Sequence, residues 1–220
     1  MTPLRVRADL AGAICVPSTP VAFDALLGAA LALRDGLPPP ANARECVPLD
    51  IPIARSECGR VYLASHGHCQ VETREAEYTN RRFPIPEAQF FGVPKLRRID
   101  IGAGSAKSYR IPRERSHLVD DAMTWWAIGD EVAIRELLTT RIGYLGKRRG
   151  VGLGKVARWT VESCETWPGF PVTRDGYPLR SLPLDWPGLA SDVERAEQVL
   201  TPPYWDNSRR EPCAVPSWER

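Results

Sequence analysis

The run Gly146-Lys147-Arg148-Arg149-Gly150-Val151-Gly152-Leu153-Gly154-Lys155-Val156 is where residue types and spacing come closest to dictating a chemistry. Four glycines and four cations interleave over positions 146–155. Glycine lets the backbone reach positive φ and lets another backbone approach closely. Lysine and arginine neutralise phosphate. A loop of this make-up suits a polyanionic chain better than one small substrate. Two nucleotide motifs fail here. A P-loop requires G-x-x-x-x-G-K-[S/T] after a strand. Counting back from Gly154-Lys155, its first glycine falls on Arg149, and Val156 replaces the magnesium-binding hydroxyl. A dinucleotide fingerprint requires G-x-G-x-x-G between a strand and a helix. Here Gly150-x-Gly152-x-Gly154 sits in the order helix, loop, strand. The plain alternative is a flexible basic turn.

A second cluster, Cys58, His66, His68 and Cys69, has metal-ligating side chains. Cys69 directly follows His68, and adjacent residues on a strand point to opposite faces. No C-x-x-C pair occurs among the six cysteines, so neither a zinc ribbon nor a secreted disulfide framework is expected. We expect no metal site and no cofactor. The formal charge of +2 conceals an uneven distribution. Residues 81–158 hold 16 Lys+Arg against 8 Asp+Glu, while the remainder holds 13 against 19. An anionic partner is expected along this central segment. Solvated surface charge is the competing explanation.

The elements that must position these residues follow from periodicity. Leu4, Val6, Ala8 and Leu10 alternate with Arg5, Arg7 and Asp9, the pattern of a half-buried strand. Residues 21–33 are Ala/Leu-rich and predict a buried helix, started by Ser18/Thr19 with Pro20 near its first turn and ended by Gly36 and Pro38-Pro39-Pro40. Residues 51–54 and 60–71 read as strands, 72–98 as a long excursion with the character of an extended hairpin, and Ile99-Asp100-Ile101 as a short strand. Residues 102–110 read as a flexible basic segment. Gly129-Asp130 then caps a helix over 131–141, with Val132, Ile134, Leu137, Leu138 and Ile142 as its apolar set. A strand over 155–162 follows the glycine-rich loop. The order strand, helix, strand, strand, helix, strand predicts an α+β fold of the ferredoxin-like (RRM-like) kind. From residue 168, nine prolines in 53 residues predict an arm packed across the core, with an acidic helix near 190–200 and fraying after about residue 200. The expected division is a domain over 1–167, with a basic thumb-like insertion at about 72–115, and a Pro-rich arm over 168–220.

A ferredoxin-like core with a glycine-rich basic loop before its last strand resembles the RAMP superfamily of CRISPR-associated RNA-binding proteins. Three segments narrow the resemblance: Trp125-Trp126-x-x-Gly129-Asp130, the run from Ile142 through the glycine-rich loop into Trp159-x-Val161-Glu162, and Gly176-Tyr177-Pro178-Leu179-Arg180-Ser181-Leu182-Pro183. Over residues 4 to about 185 they look like the Cas-five-like subunit family of type IV CRISPR systems. The resemblance implies a subunit that grips the 5′ handle of the crRNA and caps a helical backbone of Cas-seven-like subunits. It also implies docking of the large Cas-eight-like subunit and engagement of target DNA through the complex, in antiviral or anti-plasmid defence. A separate nuclease usually processes the RNA in such systems, so binding rather than catalysis is carried over. The implied RNA-binding residues are Lys147, Arg148, Arg149, Gly150, Gly152, Gly154 and Lys155 on the loop. Arg81, Arg82, Lys95, Arg97 and Arg98 would lie on the thumb. Lys107, Tyr109, Arg110, Arg113 and Arg115 would line the path between, with Tyr109 stacking a base. Of Trp125 and Trp126 at most one would face RNA, and Arg180 would tie the tail to the core.

One rival is a metal-independent endoribonuclease processing precursor crRNA, drawing on His66 and His68 with Lys107 or Tyr109. The spacing does not place those imidazoles beside a scissile phosphate, and His117 stands alone in the sequence. The other rival is a scaffold or small-ligand protein on which the basic loop is incidental. No apolar run reaches the roughly 18 residues of a membrane span, and the N-terminal stretch lacks a signal-peptide core. A cytoplasmic protein is expected.

Overall fold

The computed structural model describes residues 1–16, 21–40, 42, 45–81, 109–165 and 169–216, with 79–81 and 109–113 at the level of the backbone. Strand β1 (Thr2–Leu10) sits at the centre. Its alternation sends Leu4, Val6, Ala8 and Leu10 into the core and leaves Arg5, Arg7 and Asp9 on the opposite face. The chain then forms helix α1 (Phe23–Arg34), whose Phe23, Leu26, Leu27, Ala30 and Leu31 are buried. The expected cap is corrected here. Ala22, which has no acceptor side chain, holds the N-cap position, so neither Ser18 nor Thr19 starts this helix. At the other end Gly36, at φ 64°, turns the chain so that the Leu37 N–H reaches the Ala32 carbonyl at 2.9 Å. That i to i−5 bond closes a glycine-terminated helix end.

Strands β2 (Val71–Arg81) and β3 (Tyr109–Leu118) pair antiparallel as a two-stranded ribbon, from Val71 opposite Leu118 to Arg81 opposite Tyr109. The extended hairpin expected over 72–98 is corrected: among the described residues only β2 falls there, and its partner β3 lies further on, starting within the stretch 102–110 that was expected to be a flexible segment. Asp120 and Asp121, both at positive φ, turn the chain back into β4 (Ala122–Gly129). Strand β4 pairs antiparallel with β1, and β1 pairs on its other side with β5 (Val156–Ser163). Helix α2 (Glu131–Arg141) connects β4 to β5 and packs against both α1 and β5. Asp130 caps it, its Oδ1 accepting the Ala133 N–H at 3.1 Å. Ile134, Leu137, Leu138 and Ile142 are buried, but Val132 is 76% exposed and leaves the expected apolar set.

The third strand of the main sheet is therefore β4. The expected Ile99–Ile101 strand lies outside the described residues. The strands expected at 51–54 and 60–71 are also corrected. They are isolated bridges rather than continuous strands: Ile53 to Gly129, Ala64 to Ala127 and His68 to Thr124. One extra residue between the last two bridges makes a bulge on the free edge of β4. Gly67 lies in that bulge, where a Cβ would come within 2.9 Å of Trp125 Nε1 and Met123 Sδ. The spatial order is thus the 63–68 segment, β4, β1, β5, all antiparallel, with both helices on one face. This is an α+β architecture.

The tail departs from expectation. No helix forms near 190–200. Instead β6 (Leu182–Pro183), β8 (Glu211–Ala214) and β7 (Arg195–Gln198) form a small antiparallel sheet in that order. Val172, Leu182, Leu200, Cys213 and Val215 bury a second apolar cluster against Val61. The chain is consequently packed, not frayed, up to residue 216.

Candidate nucleic-acid interface

The glycine-rich segment is a closed hairpin rather than a loose turn. At its root, the Leu145 N–H donates to the Gly154 carbonyl at 2.8 Å and the Val156 N–H to the Gly143 carbonyl at 2.9 Å. Leu145 and Leu153 are buried and fasten it to the core. Gly154 is required by this closure. It sits at φ 71°, and a Cβ there would collide with the Leu145 carbonyl oxygen. Gly152, at φ 86°, has open space where its Cβ would stand. Just before Gly152, residues 149–151 make one short turn, with the Val151 and Gly152 N–H groups bonded to the Arg148 and Arg149 carbonyls.

The connector after β1 holds this hairpin on one side and the ribbon on the other. The Gly154 N–H donates to the Ala13 carbonyl, the Lys147 N–H to the Cys15 carbonyl, and the Ala11 N–H to the Lys155 carbonyl. Ile14 exchanges both backbone bonds with Ser116 of β3, at 2.9 and 2.7 Å. The loop and the foot of the ribbon are thereby locked to one another through residues 11–15.

Lys147, Arg148, Arg149 and Lys155 are all exposed, as are Gly150 and Gly152, while Gly154 is buried. None of the four cations forms an ion pair with a described residue. The N–H groups of Arg148, Arg149 and Gly150 donate to no described backbone acceptor. Arg148 holds φ 60°, a left-handed conformation uncommon for a side chain of this size. Several cations elsewhere are already engaged. Arg5 meets Glu162 at 2.9 Å, Arg7 and Arg158 both meet Asp9, and Arg60 meets Asp185 and Glu211. Asp9 is held below the usual carboxylate range, first by its hydrogen bond from Arg7.

Arg115 lies with the loop: it lines a groove of about 360 Å³ together with His117, Ala11–Ala13, Val151–Leu153 and Lys155. Its guanidinium also meets Glu77 at 2.6 Å. Arg113, Arg110 and Tyr109 follow along β3, opposite Glu77, Asn80 and Arg81 of β2. Tyr109 and Arg81 are about 20 Å beyond Arg115 at roughly 3.4 Å per residue. Arg82, Lys95, Arg97, Arg98 and Lys107 lie outside the described residues. His117 was not recognised from the sequence, because only the pairing of Ile14 with Ser116 brings it to the loop.

The histidines drafted for catalysis or metal binding sit apart. His66 is buried between Ala22 and Leu179, and its pKa falls to about 3 through burial and the nearby Arg180 charge. His68 is exposed, 6.0 Å from the Trp126 ring. Among the described residues no three His, Cys, Asp or Glu side chains converge as a metal set would. Trp125 is fully buried, its Nε1–H donating to the Val21 carbonyl at 3.0 Å, whereas Trp126 is half-buried on the opposite sheet face. Arg180 is buried and donates to the Tyr62 and Leu200 carbonyls, both at 2.7 Å, and to Asp24 and Tyr204. It does tie the tail to the core. No helix among the described residues is long and apolar enough to cross a membrane.

Fold and site together define an α+β protein that presents, beside a two-stranded ribbon, a cationic hairpin with no acidic partner among the described residues. Residues 87–216 match the family described as CRISPR type IV associated protein Csf3, and the chain belongs to that family. This places it in a type IV CRISPR complex. The match runs from the segment before β3, through the hairpin, to the end of the C-terminal sheet. No curated protein matches the chain.

Proposed function

We propose that this chain is the crRNA-binding, non-catalytic subunit of a type IV effector ribonucleoprotein, built on a ferredoxin-like RAMP core. The hairpin at 146–155 grips the 5′ handle. The ribbon is the thumb, carrying Arg81 to Arg115 along the RNA path. The subunit caps a backbone of Cas-seven-like subunits and docks the large Cas-eight-like subunit, so that the complex engages target DNA. It works in the cytoplasm without a cofactor.

One observation carries this reading. Four exposed cations with no acidic partner among the described residues share a hairpin in which the Arg148, Arg149 and Gly150 N–H groups have no described backbone acceptor. Charge left uncompensated on a backbone anchored at both ends suits an anionic chain, with side chains and N–H groups both taking phosphate oxygens.

Salt dependence tests it. Each phosphate neutralised on single-stranded RNA contributes a slope of about −0.7 in log K against log salt. Wild-type protein should give a slope steeper than about −3, and replacing Lys147, Arg148 and Arg149 with Ala should make it shallower by about 2. A flat salt response, or a cleaved product from repeat RNA in EDTA, would refute the proposal.

A further inference from the structure

The groove beside the hairpin offers more than charge. Its floor is the small-residue turn Ala11-Gly12-Ala13. One wall carries Arg115 and His117, two positions apart on β3 and so on one face. The facing wall carries Lys155 and the apolar Val151, which is 52% exposed. At about 360 Å³ it falls within the size range of small-ligand sites. Glu77 takes one terminal nitrogen of Arg115, while its Nε is shut from solvent with no acceptor among the described residues. The Arg115 side chain is nevertheless 40% exposed, so its terminal nitrogens rather than Nε can meet an incoming anionic oxygen. Both walls hang on the connector 11–15, so the groove is preset rather than formed on binding.

We propose that this groove takes one nucleotide of the bound single strand, turned out from its neighbours. Its phosphate lies towards Lys155 and Arg115. Its base covers Val151, with an edge towards His117. Bases of an unpaired strand can be splayed in this way, whereas those of a duplex are stacked inside. No bond is made or broken. The proposal rests on the reading of the hairpin as a nucleic-acid grip.

The test uses the RNA that copurifies with the assembled complex, resynthesised with an abasic residue at each position in turn, beside a DNA series of the same sequence. Binding to the full chain should weaken about fivefold at one position, the worth of one net hydrogen bond or small apolar contact, and little elsewhere. In a His117→Ala, Val151→Ser variant that position should lose its distinction. Lys155→Ala should weaken intact and abasic RNA alike. Both variants alter exposed or half-exposed side chains, and an unchanged melting curve confirms their folding. A position-specific loss in RNA alone, or in both series, supports the pocket and says which nucleic acid it takes. A flat scan, or a loss that persists in the double variant, overturns the pocket. If the Lys147, Arg148, Arg149 triple variant still loses binding in that case, the hairpin reading stands. Failure of wild-type protein to bind any of these strands overturns both.

Discussion

Gly152 and Gly154 are two residues apart and serve different ends. Gly154 closes the hairpin, because no side chain fits against the Leu145 carbonyl. Gly152 leaves the hairpin surface bare. The sequence grouped them as one phosphate-binding set, since spacing reports glycine content but not which carbonyl stands behind each Cα. The cations were legible because their density among glycines is unusual. His117 was not, because its proximity depends on a backbone pairing 102 residues apart in sequence, between Ile14 and Ser116. His66 shows the opposite case, a catalytic candidate that is a buried neutral imidazole with a pKa near 3. Its folded value lies below the ordinary 6.5, so the unfolded chain takes up the proton first as pH falls. Stability should therefore drop from about pH 6.5 towards pH 3, by roughly 1.4 kcal/mol per unit at most from this group. Denaturant unfolding across that range should show a shallower fall for His66→Gln than for wild type. Equal slopes would mean that His66 is solvated.

At the scale of elements, β1 and α2 were readable from the sequence because a single periodicity ran through each, and α1 because its segment is Ala/Leu-rich between proline-containing stretches. Strand β4 was not, because AMTWWAIG is apolar at nearly every position and gives no alternation. The sheet resolves it: Met123, Trp125 and Ala127 face the helices, and Thr124, Trp126 and Ile128 face away. The consequence is measurable. Trp125→Ala should cost about 3–5 kcal/mol, as expected for emptying a fully buried aromatic site. Trp126→Ala should cost less than about 1.5 kcal/mol. Comparable losses at both would place the two rings in one environment and contradict the face assignment. The 63–68 edge was misread for a related reason. Its bulge at Gly67, shaped to admit Trp125, breaks the ladder into single bridges. In the tail, prolines masked a small sheet whose strands are only two to four residues long.

Across the whole molecule, the C-terminal sheet and the main core are joined through Arg180. It reaches Asp24 on α1, the Tyr62 carbonyl beside the sheet edge, and Leu200 and Tyr204 in the tail. Tyr204 donates to the same Asp24 oxygen at 2.7 Å. Removing one member of such a buried set strands the other charge. Arg180→Ala should therefore destabilise the protein by about 3–5 kcal/mol in denaturant titration, and a loss below about 1 kcal/mol would show that the network is dispensable. The family match extends through residue 216, so it includes the tail. The core thus presents the hairpin and ribbon foot on a platform fixed from both ends of the sequence. The central claim is that this platform grips the crRNA handle without cutting it. The most direct measurement is to co-express the chain with its neighbouring type IV subunits and a CRISPR array, then sequence the RNA that copurifies with the complex. Wild type and a His66→Ala, His68→Ala variant should both retain the same processed crRNA, and the Lys147, Arg148, Arg149 triple alanine variant should lose the handle and the assembled complex. If instead the triple variant assembles normally while the histidine variant accumulates unprocessed RNA, the protein is the processing nuclease and the account given for its hairpin is wrong.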